Sequence, residues 1–371
     1  MSGLAMLRAL DGRYLVNHVW LTCSGTGAAP GTGYCSWVVQ GAANAGINVA
    51  EYLVQAPWSF GYIPVAGSTN PTSASFRESV LMGYDDAKTW LFGHPAQTFG
   101  LAGYSQGAVT AAMVYMAMMP GGELERFYPY FIGGFTFGNP WRQNGHTYPG
   151  GIDPGGEGIS PQRMTLLPND VQRWHDHANG KLNGAVGDDL YTTKPHNGQG
   201  RVEEDVYLLA IDQQLHDPFA WCAAMVHDLL GIVGQLGGGL PVAQLGGMAG
   251  VQGLLAGAGG AGLLAGLIGG LLATAVPGAD VLGGQLGSGS VIPVKPGGNV
   301  AAPAGITVID AVQAAIAGLQ FVTVQPITAP HITYEFTDAL PGRPGYTHIM
   351  HAMDHVIDCC SRVTATKMVL A

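Results

Sequence analysis

The sequence predicts a three-layer α/β fold. Three features carry that prediction: apolar β-like runs alternating with helix-periodic ones, Gly-rich turns closing those runs, and a long uncharged segment interrupting the pattern late in the chain. Such alternation builds a parallel sheet, because each return to the same edge of the sheet needs a crossover. Of 371 residues only 11% are charged, 47% are hydrophobic and 58 are Gly, which excludes disorder of the usual charged kind. Lys and Arg number 15 against 25 Asp and Glu, a net charge of -10, so the basic footprint of a nucleic-acid binder is missing.

Tyr14 to Cys23 (YLVNHVWLTC) reads as a buried strand ending in the turn Ser24-Gly25-Thr26-Gly27. Ser36 to Asn44 reads as a short helix and Glu51 to Ala56 as a second strand. From Ser73 to Phe92, the apolar positions Phe76, Val80, Leu81, Tyr84, Ala87 and Leu91 keep helical spacing. Gln97 to Ala102 supplies a strand, Gly103-Tyr104-Ser105-Gln106-Gly107 a turn, and Ala108 to Met119 an apolar helix. Tyr128 to Phe137 is the next strand, and Val171 to Ala178 and Gly187 to Tyr191 read as the last ones of the sheet. Val308 to Phe321 and Ile349 to Cys360 are helical.

Residues 229–279 carry no charged side chain, and 17 of them are Gly. A transmembrane span over Leu254 to Val276, with small residues at Gly262, Gly266 and Gly270, competes here with buried or lipid-contacting helices. The Gly content favours the latter. The chain is therefore divided into a core at 1–191, a mostly helical, Gly-rich inserted linker or lid at 192–325, and the rest of the core at 326–371.

Gly103-x-Ser105-x-Gly107 has the form of a nucleophile elbow, in which small neighbours let the chain turn sharply enough to lift the serine out of the sheet. The pentapeptide alone is a weak signal; a β-rich run before it and an apolar helix after it make it specific. A serine nucleophile needs a carboxylate and a histidine, which follow it in that order in this architecture. Asp188, presented by the Gly187 turn, is the best-placed acid, with Asp189 its neighbouring competitor and Asp170 and Asp176 poorer choices. Order leaves His196, His216, His227, His331, His348, His351 and His355 as bases. His331 stands out because it follows Pro330 in a loop, free of any helix. An oxyanion hole needs two convergent N–H groups, assigned to Gln106 and to Thr26 in the first turn.

His348, His351 and His355 share one helical face, and His175 and His177 flank Asp176. No Cys or carboxylate stands at supporting spacing, so neither metal nor cofactor is expected, and the helical histidines are read as a solvated surface. Five cysteines, an odd number, form no closed disulfide framework. Buried free thiols are expected, with a Cys23–Cys35 bridge as the alternative. Arg8, Asp11 and Arg13 interrupt any apolar leader, so Sec export is not expected.

SGTG, GYSQG, the segment Thr136 to Gly145 (TFGNPWRQNG), GDDLY and PHITY (Pro330 to Tyr334) together resemble the cutinase-like α/β-hydrolases. More narrowly, FGNPxRQxG and PHxxY are similar to the lysin B esterases of phages that infect mycolic-acid bacteria. The resemblance covers roughly 14–191 and 326–371 and implies Ser105 as nucleophile, Asp188 as acid and His331 as base. It also implies a lipid ester as substrate, the bond between mycolic acid and arabinogalactan, cleaved at the host envelope by a protein made in the host cytoplasm. The 143 positions from Asp188 to His331 exceed what that family's inserted linker leads one to expect, and no separate N-terminal wall-binding module is visible. Lipid or membrane contact is expected to run through 229–279. Two other readings compete: a cutinase-like or PE-PPE-type lipase on shorter acyl esters, and a Gly-rich membrane-active structural protein whose hydrolase half is inert.

Overall fold

A sheet covered on both sides needs strands apolar on both faces. His18–Cys23 is such a strand: Trp20 packs into one layer of core, while Leu21 and Cys23 pack into the other. The computed structural model describes residues 17–60, 73–211, 291–295, 298–301 and 329–366. In chain order the elements are β1 (His18–Cys23), α1 (Tyr34–Asn44), β2 (Val49–Leu53), α2 (Phe76–Gly93), β3 (Phe99–Tyr104), α3 (Gln106–Ala117), β4 (Phe131–Phe137), β5 (Trp174–His177), α4 (Gly198–Ile211), β6 (Val291–Lys295), β7 (Gly298–Ala301) and α5 (His348–Arg362).

The chain divides into two units, one formed by 1–60, 76–193 and 329–371 and the other by 61–75 and 194–328. The first holds a five-stranded sheet in the order β2-β1-β3-β4-β5, every pair parallel. Helices α2 and α3 pack together on one face, and α1 and α5 pack together on the other. This is the three-layer arrangement of an α/β-hydrolase core. Strand order reverses between β1 and β3, so the turns leaving those strands open side by side at one end of the sheet, where such folds place their sites. In the second unit, α4 and the antiparallel pair β6–β7 are described.

Several boundaries differ from the sequence reading for local reasons. Glu125–Tyr130, with Pro129 inside it, forms a 3₁₀ turn, and the strand begins only at Phe131. Gly187 to Tyr191 is not a strand: Asp189 accepts the Tyr191 N–H on its carboxylate, and its carbonyl accepts the N–H groups of Thr192 and Thr193. Those local bonds replace a sheet ladder. The stretch before His18, the helix expected at Val308 to Phe321 and the uncharged segment 229–279 lie, in whole or in large part, outside the described residues. Among the described residues no helix is long and apolar enough to cross a membrane.

Candidate active site

The turn after β3 is an elbow with a strained centre. Ser105 holds φ 54° and ψ −116°, and among the described residues only it and Trp58 have positive φ without being Gly. Its flanking glycines are required by contact. A Cβ on Gly107 would stand 2.2 Å from the Cys23 carbonyl oxygen, and one on Gly103 would stand 2.5 Å from the Ala108 Cα. The elbow is thus pressed directly onto the end of β1, and Cys23 and Gly103 are register partners. The Ser105 N–H donates to Phe137 O (2.9 Å), which ties the elbow to the end of β4.

Gln106 opens α3, so its N–H has no acceptor within the helix and lies at the positive end of the helix dipole. Its side chain is buried and points away from the surface: Nε2 donates to Ser59 O (2.8 Å), and Oε1 accepts from Ser79 Oγ. Thr26, partly buried, sits in a turn closed by Ala28 N–H to Gly25 O (3.1 Å), and Gly27 N–H donates to Trp58 O (2.7 Å). Residues 58 and 59 therefore bind the first turn with one carbonyl and the elbow glutamine with the next. Nothing in the sequence marks Trp58 for this role.

His331 lies in a short 3₁₀ turn, Ala329–Ile332, and is buried. Its ring is stacked on Tyr104 (centroids 5.2 Å apart) and tilted over Tyr191 (4.4 Å). Its backbone is held at two carbonyls, Pro330 O by Asn179 Nδ2 (2.6 Å) and His331 O by Tyr104 Oη (2.9 Å). Nδ1 stands 2.9 and 3.0 Å from the two carboxylate oxygens of Asp189. A Cβ on Gly138, at φ +60°, would collide with the ring at 2.3 Å. The His331 ring therefore rests on the same β4 corner that holds the Ser105 N–H. Nε2, the remaining nitrogen, is buried and makes no hydrogen bond, so Ser105 Oγ does not yet donate to it. Long or open nucleophile–base contacts that tighten around substrate are ordinary for such sites.

The carboxylate beside His331 is Asp189, not the Asp188 that the sequence led us to expect. Asp188 is half-exposed, pairs with Lys181 Nζ at 3.2 Å and accepts the Lys181 N–H, so it does not reach the histidine. Asp189, fully buried, points inward from the turn that its own backbone and side chain close. Besides His331 it accepts from Tyr334 Oη (2.6 Å) and Tyr191 N–H (3.0 Å), and its own N–H donates to Asn179 O (2.9 Å). Burial first and the Asp189 charge second push the Tyr334 and Tyr191 hydroxyls up, so Tyr334 stays a donor.

The other candidates are spoken for elsewhere. Asp170 takes Tyr115, Tyr128 and Arg173; Asp176 takes His146, Thr136 and Asn139. His196 is exposed, and His216 and His227 lie outside the described residues. His348, His351 and His355 form no solvated face: all three are buried against β5. Cys23 and Cys35 are buried free thiols, not a disulfide, as are Cys359 and Cys360.

The chain is similar in structure to several solved proteins. With lysin B from Mycobacteriophage D29 it shares 19% identity over 51% of this chain and 73% of that one, at a TM-score of 0.39. A cutinase-like protein from Cryptococcus sp. gives 18%, 43%, 74% and 0.32, and the catalytic core domain of acetyl xylan esterase from Trichoderma reesei 18%, 54%, 98% and 0.35. No family model and no curated protein matches the chain.

The motif FGNPxRQxG turns out to be scaffold. Arg142, fully buried, donates to the carbonyls of Thr192, His146, Gly155 and Gly156 and to Asp153, so one guanidinium knits together the loop beyond β4 and the chain just after the acid. Tyr334 of PHITY, Tyr104 of the elbow and Asn179 are the positioning residues that sequence reasoning passed over. The first two stood inside motifs already singled out; Asn179 carried no signal.

Proposed function

We propose that the protein is a serine-dependent carboxylic ester hydrolase, with Ser105 as nucleophile, His331 as general base and Asp189 as the acid that orients it. The observation that carries this reading is the His331–Asp189 pair, whose free Nε2 lies at the β4 corner that also fixes the elbow. Ser105 Oγ attacks the ester carbonyl and passes its proton to Nε2; the oxyanion is met by the Gln106 N–H, with Thr26 as second donor. Collapse expels the alcohol, which takes that proton, and water repeats the sequence on the acyl-enzyme.

The finer proposal is a long-chain lipid ester, the mycolyl–arabinogalactan bond, cleaved during phage lysis. The FGNPxRQxG and PHxxY motifs support it, as do the strongly exposed Val186 and Phe336, which line one cleft with Thr333, two residues from the base. Lipid contact through residues 229–279 is part of the same proposal. The short-acyl reading is the second. Hydrolysis of p-nitrophenyl esters of rising chain length and mycolic acid release from purified cell wall separate the two. Ser105→Ala should cost about 10⁶-fold in kcat and abolish fluorophosphonate labelling, whereas a variant retaining a tenth of wild-type activity removes this serine from the mechanism.

A further inference from the structure

Away from the serine, the sheet face under α5 gathers histidines. His175 and His177 stand two apart on β5, so both project to the same side, and His351 on α5 comes down between them. One ring nitrogen of each is buried without a hydrogen bond: Nδ1 of His175, Nε2 of His177 and Nδ1 of His351. The three residues can each offer a nitrogen within 4.8 Å of the other two. Native cores leave few polar atoms unmet, and one unmet nitrogen on each of three clustered imidazoles points to a donor set rather than a packing accident.

We propose that His175, His177 and His351 bind one divalent transition-metal ion of the zinc class, which fastens the final helix to the edge strand. Three neutral imidazoles with no carboxylate or thiolate suit zinc, cobalt, nickel or copper and disfavour magnesium and calcium. Outer partners are in place. With a metal on Nε2, His177 Nδ1 becomes the N–H that donates to His348 Nδ1 at 3.0 Å, and the Tyr148 ring covers His177 and His351 at 4.6 and 4.2 Å. The site lies two residues before Asn179, whose carbonyl holds the Asp189 N–H and whose side chain holds Pro330 O. The ion thus braces the segment that presents both acid and base, without touching either.

The test uses full-length protein without a histidine tag. Titration with cobalt should give one equivalent bound, with the visible bands of a four-coordinate ion, and zinc should displace it. Zinc at a hundredfold excess over its Kd should raise Tm by about 5 °C. His351→Gln should lose the bands and the shift, His351→Cys should keep the bands and add a thiolate charge-transfer band in the near ultraviolet, and His94→Gln, remote on α2's end, should behave as wild type. Wild-type protein that takes up neither cobalt nor zinc overturns the proposal whatever the variants do; so does a His351→Gln protein that binds with an unchanged spectrum.

Discussion

His331 Nδ1 lies 2.9 Å from a carboxylate oxygen of Asp189, while Asp188, one peptide away, salts a surface lysine. One residue's difference in register decides which carboxylate orients the imidazole. Asp189→Asn should lower kcat on p-nitrophenyl butyrate by about 10⁴-fold, because the amide no longer fixes the tautomer. Asp188→Asn should stay within about twofold of wild type, since an exposed pair contributes little. Steady-state kinetics on the two variants checks this.

Tyr334→Phe removes a hydroxyl that donates to the buried Asp189 carboxylate and accepts the Asn179 N–H, and leaves the ring's packing in place. The expected cost is about 1.5–3 kcal/mol of stability, read from urea unfolding, with activity reduced but retained.

Gly107→Ala tests the contact between elbow and first strand. Its new Cβ meets backbone oxygens of Cys23 and Ser24 at 2.2 and 2.4 Å, and backbone does not move aside as a side-chain tip would. A loss of at least about 3 kcal/mol, or failure to fold, is expected in thermal melts.

Arg142→Ala strands four carbonyls and Asp153 beside a cavity and should destabilise by about 3–5 kcal/mol. Arg142→Lys should recover little, because one ammonium cannot reach acceptors spread around a planar fork. The same denaturation series serves for both.

The parallel sheet was legible because its strands are apolar on both faces and end in glycine turns, and the serine because its elbow imposes small residues at fixed spacing. The acid was not: GDDLY offers two adjacent aspartates, and only the turn formed by Asp189's own backbone and side chain decides which one faces inward. The histidine cluster was read as a wet helix surface because one helix's sequence cannot show that β5 lies beneath it carrying two more imidazoles. Strand spacing of two combined with a single helical residue 174 positions later follows no spacing rule for metal ligands. Such a site exists only after the chain has folded back on itself.

The first strand is sealed by the last helix, where Trp20 Nε1 donates to Cys360 Sγ, and just before β3 the Thr98 N–H donates to Thr366 O, beyond that helix and 268 residues later. Contacts so distant in sequence form late, since closing the intervening loop comes first. On the ribosome, the strands and elbow emerge with one apolar face, including Trp20, Phe135 and Phe137, covered only in part by α1 until the segment after residue 328 follows. A nascent or proteolytically shortened chain ending before that point holds Ser105 but not His331 and leaves a sticky sheet for chaperones to shield. Under the proposed mechanism such a chain lacks its general base, so its hydrolytic chemistry waits for the segment after residue 328.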